Sequence, residues 1–155
     1  MDQGVLSLLL TANILFKQRF IGKRFLFNNE VFDKKTGSLL GEVDLLFIIG
    51  SRVGIAEVKS DRGFGDKKQI DKLLDLSKRM DIDLIIFSTL KKSDSIEVRE
   101  LVAYLKSKKV NISTLILTRE VLFERNAVDI GESITYITPD SEHIIDPIII
   151  SKKSP

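Results

Sequence analysis

The chain has 155 residues, enough for one domain with a substantial core, and its 43% hydrophobic and 30% charged residues suit a globular protein. A formal net charge of +2 announces no nucleic-acid partner, so any such surface must come from local clustering. There is no cysteine, which excludes disulfides, thiolate metal sites and cysteine nucleophiles. The lone histidine, His143, leaves a histidine-built metal site or Ser-His-Asp triad hard to assemble. Metal chemistry here must use carboxylates, which favours magnesium or manganese.

In chain order, Val5, Leu8, Leu9, Ala12, Leu15 and Phe16 recur at helical spacing and predict a helix over 4–18. The apolar run Val5–Phe16 is too short for a bilayer and contains Ser7, Thr11 and Asn13. It lacks the flanks of a signal peptide, so a cytoplasmic protein without a membrane segment is expected. Residues 24–32 read as a strand, and Asp33–Gly37 as a turn. A second strand covers Gly41–Ile49, a tight connection Gly50–Gly54, and a third strand Ile55–Ser60. These three predict an antiparallel meander.

The period then changes. Asp66–Met80 places Ile70, Leu73, Leu74, Ser77 and Met80 on one helical face. Ile82–Ser88 is a buried strand, Ser95–Lys108 a helix, Ile112–Leu117 another buried strand, and Arg119–Glu124 a short helix behind Thr118. From about residue 126 the tail reads as irregular, with possible strands at Ile134–Ile137 and Ile144–Ile150. The order α-β-β-β-α-β followed by α-β predicts one α/β domain over 1–155: a mixed central sheet, parallel in its second half, flanked by helices.

Strand alternation puts Glu42 and Asp44 on one face of the second strand and Glu57 and Lys59 on one face of the third. Charges inside apolar strands are costly unless paired or bound to metal, which makes this group a candidate site. Asp44 and Glu57, with the carbonyl of Val58 and with Glu42 as a further ligand, can hold magnesium or manganese. Lys59 can then orient or deprotonate an attacking water. The bland alternative is a solvated strand face on which Lys59 merely pairs with Glu57.

Gly41-Glu42-Val43-Asp44, a hairpin, then Ala56-Glu57-Val58-Lys59 resembles the signature of the PD-(D/E)XK nuclease superfamily, in its resolvase-like branch. The motif aspartate falls on Asp44 and the (D/E)XK triplet on Glu57, Val58 and Lys59. Gln69, in the following helix, matches a glutamine that recurs in that superfamily. The resemblance spans residues 40–90 by motif and the rest by element order. It implies a restriction-endonuclease-like fold and a metal-dependent endonuclease hydrolysing phosphodiester bonds, with DNA the expected partner. In that scheme Asp44, Glu57, Lys59 and Gln69 are the catalytic residues.

The chain departs from the superfamily in having no glutamate before Glu30; Glu30 or Glu42 could replace the carboxylate that many members carry in the first helix. Arg62, Lys67 and Lys68, in and after the loop behind Lys59, are the candidate phosphate contacts. Lys17, Arg19, Lys23 and Arg24, interleaved with phenylalanines, form a weaker basic stretch whose aromatic residues read better as core. A homodimer is possible, with the isoleucine-rich end (Ile144, Ile145 and Ile148 to Ile150) as its pairing strand. The competing function is a non-catalytic nucleic-acid- or protein-binding module on the same fold.

Overall fold

The computed structural model describes residues 3–16, 22–124 and 148–151. Its elements are α1 (Gln3–Phe16), β1 (Lys23–Phe32), β2 (Leu39–Ile49), β3 (Arg52–Lys59), α2 (Lys67–Arg79), β4 (Leu84–Thr89), α3 (Ile96–Ser107), β5 (Ser113–Leu117), α4 (Arg119–Glu124) and β6 (Ile148–Ser151). The predicted strand at Ile134–Ile137 and the start of the other, Ile144 to Pro147, together with His143, lie outside the described residues. So do Lys17, Arg19 and Phe20 of the first basic stretch.

The six strands form one mixed sheet in chain order, β1-β2-β3-β4-β5-β6. β2 runs antiparallel to both β1 and β3, β3, β4 and β5 are parallel, and β6 returns antiparallel to β5. The α/β class, the mixed sheet and its parallel half are as the periodicity predicts. Ile148–Ile150, expected as a strand, form one with Ser151 that pairs within the chain against Thr114–Ile116 and lies at the edge of the sheet.

Each face of the sheet carries its own core, because β4 is buried on both sides and alternates its side chains between them. Leu84 and Ile86 join Leu45, Phe47, Ile49 and Ala56 beneath α1 and α4, where Ile14, Leu15, Val121 and Leu122 close the layer. Ile85 and Phe87 join Ile55 on the opposite face beneath α2 and α3, which contribute Ile70, Leu73, Leu101 and Leu105. Asp66 caps α2 by accepting from the Lys68 N–H at 2.9 Å, and Ser95 caps α3 by accepting from Val98. A buried hydroxyl pair, Thr11 Oγ1 and Ser88 Oγ at 2.6 Å, ties α1 to β4. Of the phenylalanines expected in the core, Phe25 packs on it, whereas Phe16 and Phe27 are exposed.

One predicted boundary moves for a clear reason. β3 begins at Arg52, so the hairpin loop is only Gly50 and Ser51, with Gly50 at φ 61°. Gly54 belongs to the strand, opposite Phe47, whose ring covers its Cα: a Cβ there would sit 2.1 Å from Phe47 Cζ. The glycine makes room for an aromatic ring rather than for a turn.

Strict alternation also fails along β2. Leu45, Phe47 and Ile49 face α1, yet Val43, of the same parity, is buried on the α2 side. Opposite this point, Asn28 takes a left-handed φ of 51° between the pairs Phe27–Leu45 and Asn29–Val43. The ribbon bends there, bringing Gly41 against Leu76 of α2.

Candidate active site

β2 and β3 pair only from Leu45–Ala56 to the hairpin, although β2 begins at Leu39 and β3 runs on to Lys59. Beyond Ala56 the strands part. β2 follows β1, while Glu57, Val58 and Lys59 stay with Phe87, Ser88 and Thr89 of β4. The resulting fork strands the Val58 N–H, and the side chain of Asp44 takes it: Oδ2 accepts at 2.7 Å. A strand residue turns its N–H and C=O to the same side, so the Val58 carbonyl is directed into the same fork. The Val58 side chain faces the α1 core.

Glu57 and Lys59, two residues apart on β3, share the α2-side face and pair at 2.7 Å. The Glu57 side chain is only 18% exposed and that of Lys59 31%. Phe64, in the loop before α2, packs edge-on against Phe87 at 5.4 Å; with Ile70 and Leu73 these rings line a small void beside Glu57. That apolar floor makes ionisation costly. Burial pushes the Glu57 carboxyl above the ordinary glutamate range, and the charges of Asp44 and, least, Glu42 add to the shift against the pull of Lys59. Burial alone would depress Lys59, but its hydrogen bond to Glu57 and the charges of Glu57 and Asp44 outweigh that and hold its pKa above the usual lysine value. Lys59 is an ammonium at neutral pH.

These groups open into a cleft of about 340 Å³ whose walls are the start of β2 and the first turns of α2. Glu42, Asp44, Glu57, Lys59 and Gln69 all line it. Two things the sequence reading missed also line it. Lys72 stands one helical turn after Gln69, and Leu39, Leu73 and Leu76 form an apolar wall. The α2 stripe Gln69, Lys72, Leu73, Leu76 carried that signal, since these positions share a helix face.

Arg62, Lys67 and Lys68 are not brought to the cleft. Lys67 lies 5.2 Å from the Tyr104 ring centroid, drawn by the aromatic face, while Arg62 and Lys68 are exposed. Glu30 sits directly opposite Glu42 across β1 and β2, on the solvent-exposed side of the cleft.

Among the described residues no three acidic side chains are grouped closely enough to enclose a cation alone. The fork offers instead two carboxylates and a carbonyl. Asp44 keeps one oxygen clear of the Val58 N–H, Glu57 one clear of Lys59, and Val58 its C=O. All are oxygen donors, and a hard cation would relieve what lifts Glu57, its burial first and then the repulsion from Asp44. The residues present fit magnesium or manganese.

A raised carboxyl pKa has a consequence for stability. Folded Glu57 holds its proton more tightly than unfolded Glu57, so stability falls as pH rises from the ordinary glutamate value through the raised folded one. Glu57→Gln is therefore expected to raise the Tm of the metal-free protein at neutral pH. The gain should vanish below the ordinary glutamate pKa, where Glu57 is neutral as well. A Glu57→Gln variant less stable than wild type at neutral pH would show that the bridge to Lys59 outweighs burial.

Comparison with known protein families, curated proteins and solved structures finds no match.

Proposed function

We propose that this chain is a divalent-metal-dependent nuclease domain of the PD-(D/E)XK, restriction-endonuclease-like kind, hydrolysing phosphodiester bonds in DNA. The observation that carries the reading is the convergence of Asp44, Glu57 and Lys59 at one fork in the sheet, with Gln69 of the next helix on the facing wall. The strand order β1 to β4 after α1 is also the order that the superfamily resemblance implies.

In this reading Asp44 and Glu57, joined by the Val58 carbonyl and flanked by Glu42, hold magnesium or manganese. The bound cation supplies an activated water and charge neutralisation at the scissile phosphate. Asp44 is held in place by the Val58 N–H, so its free oxygen is pre-oriented. Lys59, paired with Glu57 at 2.7 Å, offers a hydrogen-bond donor and positive charge toward the phosphate and lies where it can orient the attacking water. Gln69 positions the attacking water from the α2 wall, and Leu39 and Leu76 shield the cleft from bulk solvent.

Lys72 adds a second cation, with no ion-pair partner among the described residues. It suits a phosphate next to the scissile one. Lys72→Ala is expected to raise KM about tenfold with kcat little changed, the worth of one charge-assisted contact. A fall confined to kcat would move Lys72 into the chemical step.

The test is cleavage of labelled duplex, single-stranded and four-way-junction DNA with magnesium or manganese, beside thermal unfolding with the same ions. Metal-dependent cutting, with a Tm raised by manganese in the wild type but not in Glu57→Gln, would support the nuclease reading. Failure to cut any substrate, with no metal-induced change in Tm, would favour a binding module on the same fold.

A further inference from the structure

Past the fork, the hairpin of β1 and β2 runs on with no third strand beside it among the described residues. Its turn is nevertheless stiff. Asp33 Oδ1 accepts the Lys35 and Thr36 N–H groups, each at 2.8 Å. The Asp33 N–H donates to the Ser38 carbonyl, and its own carbonyl accepts from Gly37, again at 2.8 Å. Directly behind this turn Phe32 and Leu39 stand opposite each other. Opposed residues of an antiparallel pair share a face, so the two side chains form one apolar ledge. Phe32 is 53% exposed and Leu39 51%, and Leu39 lines the cleft. Apolar surface of this kind gains from being covered.

α2 supplies the facing wall. Gln69, Lys72, Leu76 and Arg79 follow one another at helical spacing and lie on one stripe, of which the first three line the cleft. The Asp33 carboxyl is held below the usual aspartate range by the Thr36 and Lys35 N–H groups first and by the charge of Arg79 least, so Arg79 stands near the turn. The stripe thus leads from the fork to the ledge, with Lys72 and Arg79 about 10 Å apart along the helix axis. Lys34 and Lys35, exposed in the turn, add positive charge at its far end.

The hairpin wall between fork and ledge has the other sign. Glu30 and Glu42, opposite each other across β1 and β2, are exposed and have no ion-pair partner among the described residues. A strand of phosphates along α2 is attracted, whereas a second strand beside it would lie over these carboxylates and be repelled. The bases of a duplex are also stacked on one another and offer the ledge no free face, while an unpaired base does. A cleft of about 340 Å³ has the size of a small-ligand site and matches one nucleotide unit better than two paired strands.

We propose that the site takes its substrate as a single strand, with the phosphates led along α2 by Lys72 and Arg79 and one unpaired base laid on the ledge of Leu39 and Phe32. This substrate form rests on the nuclease reading. Stacking on the ledge tolerates any base, because each has a π face, so it gives affinity without sequence preference.

The test is binding of one labelled oligonucleotide, single-stranded and as a blunt duplex, to the full chain with calcium as the hard cation. The single strand is expected to bind at least tenfold more tightly than the duplex. Phe32→Ala should weaken the single strand about tenfold and leave the duplex unchanged. The chain contains no tryptophan, so Phe32→Trp places one reporter on the ledge, and its fluorescence should be quenched by the single strand and not by the duplex. A duplex bound as tightly as the single strand, Phe32→Ala without effect, or an unquenched Phe32→Trp overturns the proposal. Cutting is read separately with magnesium or manganese. Metal-dependent cutting that favours the duplex overturns the single-strand form alone, whereas single-strand binding with no cutting of any substrate supports the ledge and removes the nuclease reading.

Discussion

Lys59→Ala is expected to lower the single-turnover rate of DNA cleavage by about 10²–10⁴-fold while leaving the fold intact. The side chain is 31% exposed and its one ion pair is with Glu57, so its loss opens no cavity in either core. The effect is large because, in the proposed nuclease reading, the ammonium has two roles. It places positive charge where negative charge develops on the phosphate, and it keeps Glu57 from rising further out of the carboxylate range. Removing it should also push the Glu57 carboxyl of the metal-free protein higher, since burial and Asp44 would then act without the opposing pull of Lys59. Lys59→Arg separates the roles. Arginine preserves the charge but cannot lose a proton, so substantial activity in that variant supports a charge-stabilising Lys59, and none argues for a base. Unchanged cleavage in Lys59→Ala would remove Lys59 from the machinery.

Gly54→Ala is expected to be the most damaging small change to stability. The added Cβ would lie 2.1 Å, 2.3 Å and 2.9 Å from three atoms of the Phe47 ring. That ring is 1% exposed and packed among Leu45, Ile49, Ile14 and Leu15, so it has no vacant direction in which to turn. A loss of about 3 kcal/mol, at the upper end for overpacking, corresponds to a fall in Tm of roughly 6–12 °C for a domain of this size. The double change Gly54→Ala/Phe47→Leu should cost less than the sum of its parts, because the smaller side chain gives up the contested space. Thermal unfolding of the four proteins measures this coupling. Strict additivity would mean that the ring and the glycine do not meet.

The legible and illegible parts of the sequence divide along physical lines. The continuous apolar runs of β4 and β5 and the stripe of α2 announced their elements, because burial on both faces or on one helical face leaves a periodic mark. Asp44, Glu57 and Lys59 were visible as charges inside apolar strands. The Gly54 boundary was not, because a glycine that admits a ring and a glycine that makes a turn look alike until the partner strand is known. Lys67 and Lys68 looked well placed by their nearness in sequence to Lys59. Helix geometry instead sends Lys67 toward Tyr104, and Lys72, a turn further on, reaches the cleft. The bend at Asn28 left no sign in the hydropathy pattern. It follows from one backbone angle, which asparagine tolerates but does not announce.

The plain sequential order of the sheet has a bearing on how the molecule is made. Every strand lies beside its predecessor in the chain, so β1, β2 and β3 close as hairpins and β4 and β5 each add across one helix, while β6 waits for residues 118–147. During synthesis a newly emerged strand would find the growing edge already formed by the one before it. All the residues that line the cleft precede β4, whose partnership with β3 holds Glu57 and Lys59 in line. The corner that holds the cleft can thus take shape once Thr89 has emerged from the ribosome, with β5 and β6 still to follow it out.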